Sequence, residues 1–232
     1  MFTYIQVVTL AVLGGVIPSL LWLIFWLREN RDNPEPPKII LACFVAGMIT
    51  TLAVFPFEYL ATLFLKEGTI PTFASLAFIE EIGKFLACYF IALRTSYEKR
   101  PIDAVMYMVA VALGFAALEN TFFLIAPLAG GDTLGSIITG NLRFIGASLL
   151  HTLASASIGI FIAFSFYKNK ILKEEYILGG IIFAGVLHTL FNFFILQDSG
   201  AGIFIVFATI WTLIVALIII LERVKVIKQK TI

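Results

Sequence analysis

The 232-residue sequence predicts an all-α, polytopic membrane bundle of about seven transmembrane helices, with the N-terminus outside and the C-terminus cytoplasmic. Three observations carry this. Apolar residues make up 60% of the chain and charged residues 13%, about half the charged share of a soluble domain. Apolar runs of 20 or more residues, long enough to span a bilayer, recur along the chain. The basic residues alternate with these runs. The connectors after the first, third and fifth spans, together with the tail, hold thirteen of the sixteen Lys and Arg, while the opposite side has Lys66 alone. Such a bias orients a membrane protein with its basic connectors in the cytoplasm.

The first span runs from about Tyr4 to Leu27. The stretch before it has no basic flank and the run is too long for a signal-peptide core, so it is expected to be retained. Asn33-Pro34-Glu35-Pro36-Pro37 breaks the chain before the second span, about Ile39 to Leu65. Gly68 to Pro71 precedes the third, about Thr72 to Leu93, and the fourth runs from about Asp103 to Leu128. Gly130-Gly131 leads to the fifth, about Leu142 to Tyr167. The sixth spans about Tyr176 to Gln197, and Gly200 to Gly202 introduces the seventh, about Ile203 to Leu221. The chain reads as one integral membrane domain over 1–232, with functional helices at about 72–197 and accessory helices at about 4–65 and 203–221. Connectors of at most about 15 residues leave no room for a nucleotide-binding domain. A net charge of +1 without a basic patch argues against nucleic acid. Cys43 and Cys88, both inside spans, read as small core residues.

Charged groups at the bilayer centre each cost about 2.5–3.5 kcal/mol on insertion scales. The third span nevertheless carries Glu80, Glu81 and Lys84, and the fourth carries Glu119 beside Asn120. The only histidines, His151 and His188, fall in the fifth and sixth. Counted from the outer ends of their spans, Glu80, Glu119, His151 and His188 all lie about 12–14 Å deep at 1.5 Å per residue. A shared polar chamber among the third to sixth helices is the simplest arrangement. Lys84 lies three and four residues from the two glutamates and can pair with either. Ser155 and Asn192 stand one turn beyond His151 and His188. The sequence leaves the roles of Glu58 and Arg143 open: each either faces the chamber or snorkels to the outer interface.

Two chemistries fit. In one, a glutamate activates water for amide hydrolysis, a histidine assists, and His188 with Asn192 holds the oxyanion. In the other, Glu119, His151 and His188 ligate a divalent metal such as zinc while Glu80 or Glu81 is the base. A serine nucleophile fits poorly, as no Gly-x-Ser-x-Gly occurs. A Glu/His/Lys relay of a proton-coupled carrier or channel is the main alternative, and a heptahelical sensor shares the topology.

Glu80-Glu81-Ile82-Gly83-Lys84 resembles the Glu-Glu-x-x-Lys motif of the PrsW family of intramembrane proteases, itself distantly similar to the CAAX-processing glutamate proteases. Gly114 to Asn120, His151-x-x-x-Ser155 and His188-x-x-x-Asn192 resemble that family's later motifs, in the same order. Asp103-Ala104 departs from the Asp-Gly often found before the second motif. The resemblance implies regulated proteolysis in a bacterial inner membrane, with a membrane-anchored, anti-sigma-factor-like protein cut near its outer boundary. It implies Glu80, Glu81, His151 and His188 as the catalytic group, with Lys84, Glu119, Asn120, Ser155 and Asn192 in support.

Overall fold

The computed structural model describes residues 2–32, 34–197 and 201–228, and among them the chain is helical with no strand. Asn33 and Gly200, read above as breakers, and Lys230, one of the basic residues of the tail, lie outside these residues. Seven rods follow in order: α1 (Tyr4–Glu29), α2 (Pro37–Phe64), α3 (Ile70–Cys88), α4 (Pro101–Ala129), α5 (Thr133–Ser165), α6 (Lys170–Gln197) and α7 (Ala201–Lys225). Six are long and apolar enough to cross a membrane. The seventh, α3, carries Glu80, Glu81 and Lys84 and is prolonged by a π turn at Tyr89–Leu93. The protein is therefore a multi-pass membrane protein.

The starts follow local chemistry. Thr3 caps α1 reciprocally with Gln6. Proline occupies the first turn of α2, α3 and α4, where its missing N–H costs nothing. The clearest departure from the sequence reading is α5, which begins at Thr133, about nine residues before the expected Leu142. Gly135, Ser136, Gly140 and Asn141 read as connector. Asp132 overrides them by accepting the Gly135 amide at 2.8 Å, while its carbonyl accepts the Ser136 hydroxyl at 2.6 Å. A π turn at Arg143–Ala147 joins the two straight parts of α5.

α4 is the central rod, buried without interruption from Pro101 to Ala117 between α1, α2 and α5. Bilayer lipid gives helices no hydrophobic reason to associate, so close backbone packing must supply the contact. Gly114 of α4 lies so near α2 that a Cβ there would overlap the Phe44 carbonyl, and Gly47 opposite lies equally near the Val111 carbonyl. Gly114→Leu is expected to destabilise the protein by at least about 2 kcal/mol, read as a lowered melting temperature in detergent, whereas Gly130→Leu, where a Cβ would make only ordinary contacts at 3.5 and 3.7 Å, should cost far less.

At the end of the bundle that holds the α1–α2 and α3–α4 connectors, Asp103 accepts the Lys99 and Arg100 amides, both at 2.9 Å, and pairs with the Arg100 guanidinium at 2.6 Å. Glu35 is buried beside them. One oxygen accepts from Asn30 at 2.6 Å, and the other has no hydrogen-bond partner among the described residues. Burial pushes the Glu35 carboxyl up to about 7. A carboxyl that holds its proton more tightly folded than unfolded favours the folded state below about pH 4.5, and that advantage is lost as pH rises towards 7. Glu35→Gln should flatten the fall in melting temperature between pH 5 and 7.5; an unchanged slope would refute this assignment.

Candidate functional site

α3, α4, α5 and α6 bring their ionisable side chains together inside the bundle. Glu80, Glu81 and Lys84 project from one face of α3 because residues three and four apart stack along a helix. All three are buried, together with His151 and His188. The Lys84 ammonium lies at the centre. It donates to Glu81 Oε1 at 2.7 Å, to Glu80 Oε2 at 3.2 Å and to His151 Nδ1 at 2.9 Å, and sits 4.1 Å from the Phe115 ring centroid. The carboxylates and the aromatic face share the burden of an otherwise costly buried cation.

These contacts assign both imidazoles. An ammonium can only donate, so His151 Nδ1 is an acceptor. Its Nε2–H then donates to Glu119 Oε2 at 3.0 Å. A carboxylate only accepts, so His188 Nδ1–H donates to Glu81 Oε1 at 3.0 Å. That leaves the His188 Nε2 lone pair free, facing Glu80 Oε2 at 4.0 Å. The two imidazoles thus hold opposite tautomers, edge to face with centroids 5.0 Å apart.

The paired glutamates differ in their surroundings. Glu81 is fully enclosed, and its second oxygen accepts the Ser155 hydroxyl at 2.8 Å. Glu80 has one bond, to Lys84, and 8% of its side chain exposed. Its Oε2 also lies 3.8 Å from His151 Nδ1. Glu80 Oε2 and His188 Nε2 lie 4.0 Å apart, a separation that one water donating to both would span with hydrogen bonds of about 2.8 Å.

The depths counted along separate helices meet as expected for Glu80, Glu119, His151 and His188. Asn120 donates to the Ser148 hydroxyl at 3.0 Å. Asn192, half-buried, makes no hydrogen bond among the described residues. Glu58 is half-buried on α2, within electrostatic reach of Glu80 and Glu119. Arg143, whose direction the sequence left open, faces inward. Its Nη2 pairs with Glu119, its Nε donates to Asn120 Oδ1 at 2.5 Å, and its plane covers Phe123 at 3.8 Å. The hidden signal is the π turn. Eight residues overshoot two regular turns, about 7.2 residues, by nearly one residue. The π turn absorbs that extra residue and puts Arg143 on the face of His151.

Glu80, Glu81, His151 and His188 each offer a ligand atom, all within 4.8 Å of one another. Two imidazoles and two carboxylates suit a divalent ion such as zinc. The set differs from the one weighed on sequence, since Glu119 is engaged by Arg143 and lies outside it. Lys84 touches three of these four residues, so a metal among them would displace its ammonium.

Comparison with known proteins points to one family. A family model described as PrsW family intramembrane metalloprotease matches residues 35–221. The chain is 26% identical over 197 residues to Protease PrsW of Geobacillus kaustophilus, covering 82% of this chain and 81% of that protein. It is 25% identical over 220 residues to Protease PrsW of Shouchella clausii, covering 92% and 95%, and 24% identical over 200 residues to Protease PrsW of Halalkalibacterium halodurans, covering 83% and 86%. No solved structure matches.

Proposed function

The chain belongs to the PrsW family of intramembrane proteases, and from that premise we propose that it cuts a membrane-anchored, anti-sigma-factor-like protein near its outer boundary, in a bacterial inner membrane. One observation carries the reading: Glu80 and His188 Nε2 face each other across 4.0 Å, each with accepting capacity to spare, while Glu81, Lys84 and both ring nitrogens of His151 are engaged.

A water between them donates one hydrogen to Glu80 and the other to His188 Nε2, which aims its lone pairs at an incoming carbonyl. As the water oxygen bonds to the carbonyl carbon, Glu80 takes the proton. Asn192, one turn beyond His188, offers its amide to the developing oxyanion. The carbon–nitrogen bond then breaks, and Glu80 returns the proton to the departing amine. Glu81 holds the His188 tautomer, and Lys84 balances the carboxylates throughout. A divalent ion, where bound, would be held by Glu80, Glu81, His151 and His188 in place of the Lys84 ammonium, and would supply Lewis-acid polarisation of carbonyl and water.

The test is purified protein in proteoliposomes with a single-span membrane substrate, its products identified by mass spectrometry. One cut close to the outer boundary, with one oxygen from solvent water in the new carboxyl, is the expected result. Proton flux through the liposomes with no cleavage of any single-span substrate tried would replace this reading with a carrier.

A further inference from the structure

We propose that Arg143 is a positioning residue that fixes the tautomer of His151 by clamping Glu119. The proposal rests on the hydrolytic reading only for its effect on rate; its structural content stands alone. The sequence gives Glu119 no cation on its own helix face, and the carboxylate lies at the edge of the chamber with 20% of its side chain exposed. Left to itself it could turn to solvent. Arg143 prevents this from two sides. Nη2 takes Glu119 Oε2, and Nε takes Asn120 Oδ1, whose own amide is tied to Ser148. A planar guanidinium with donors in a fixed fork makes both contacts at once, which an ammonium on a single stem does not.

Glu119 Oε2 is the atom that receives His151 Nε2–H. Held there, it keeps the Nε2 proton in place and the Nδ1 lone pair towards Lys84. If the other tautomer formed, Nδ1–H would face an ammonium, donor against donor, and Lys84 would lose one of its three acceptors. The chain of control therefore runs from Arg143 through Glu119 and His151 to Lys84, and so to the spacing of Glu80 and Glu81. It starts at the π turn, since a regular helix would point Arg143 elsewhere.

The chain has two histidines, so nitrogen-15 NMR of histidine-labelled protein in lipid nanodiscs reads both imidazoles directly. Wild type should give one Nδ1–H and one Nε2–H tautomer. Arg143→Gln should lose the pure Nε2–H signal while the Nδ1–H signal persists, and kcat should fall at least tenfold with KM within about twofold, in the range typical of lost supporting hydrogen bonds. Arg143→Lys, which keeps the charge but not both contacts, should be intermediate in both readouts, and it decides the matter if Arg143→Gln does not fold. Unchanged tautomer signals in these variants overturn the proposal whatever the rate. If wild type shows the two tautomers and Arg143→Gln removes one, the clamp holds even where no substrate is cleaved, so the two readings fail separately.

Discussion

Glu80→Gln should lower kcat by about 10²–10⁴-fold, the usual worth of a general base, while the melting temperature in detergent stays close to wild type. The amide is nearly isosteric and can still accept from Lys84, the one hydrogen bond Glu80 makes, so little structure depends on its charge. Glu81→Gln contrasts with it. That side chain is enclosed and accepts from Lys84, His188 and Ser155. The amide nitrogen can face only Ser155, whose hydroxyl then accepts, and loss of the carboxylate charge weakens the buried bonds from Lys84 and His188, at about 1–3 kcal/mol. Glu81→Gln should therefore lose activity and thermal stability together. Comparing kcat with melting temperature for the pair separates the base from the anchor. A Glu80→Gln enzyme at the wild-type rate, or one that melts as low as Glu81→Gln, would defeat the assignment.

The sequence reading reached the level of the site because helix rise is constant, so depth along four separate helices could be counted without knowing how they pack. It reached α3 as a helix in spite of three charges because the apolar run continued on both sides of them. It could not reach the direction of Arg143, which depends on a π turn that no residue in Arg143–Ala147 advertises. Nor could spacing alone separate Glu80 from Glu81, although the family resemblance favours Glu80 as the base. Adjacent helix positions point about 100° apart, and only the packing of α5 and α6 reveals that one carboxylate is enclosed by Ser155 and His188 and the other is left with its bond from Lys84. The early start of α5 was hidden for another reason: residues that favour turns were outvoted by a cap, Asp132, whose effect is local and invisible in a hydropathy pattern.

Lys84→Met carries the largest expected structural cost. It keeps the volume of the stem and the contact with Phe115 but removes the one ammonium shared by two buried carboxylates and an imidazole. Breaking a buried ion pair from one side costs about 3–5 kcal/mol, because the stranded charge has lost its partner. The melting temperature should drop by at least about 5 °C and hydrolysis should cease. The wild-type trio of Glu80, Glu81 and Lys84 carries a net charge of −1, and Lys84→Met makes it −2. Adding Glu81→Gln restores −1, so the double variant should melt higher than Lys84→Met alone, a coupling that independent losses would not produce. Activity should stay absent, since the tautomer of His188 still lacks its carboxylate. The vacated place also has the donors for a divalent cation. Added zinc should raise the melting temperature of Lys84→Met and leave wild type almost unmoved, because in wild type the lysine already fills that role. If Lys84→Met melts as wild type does, or if Glu81→Gln deepens its loss by the full amount seen alone, the ammonium is not what holds the two carboxylates together.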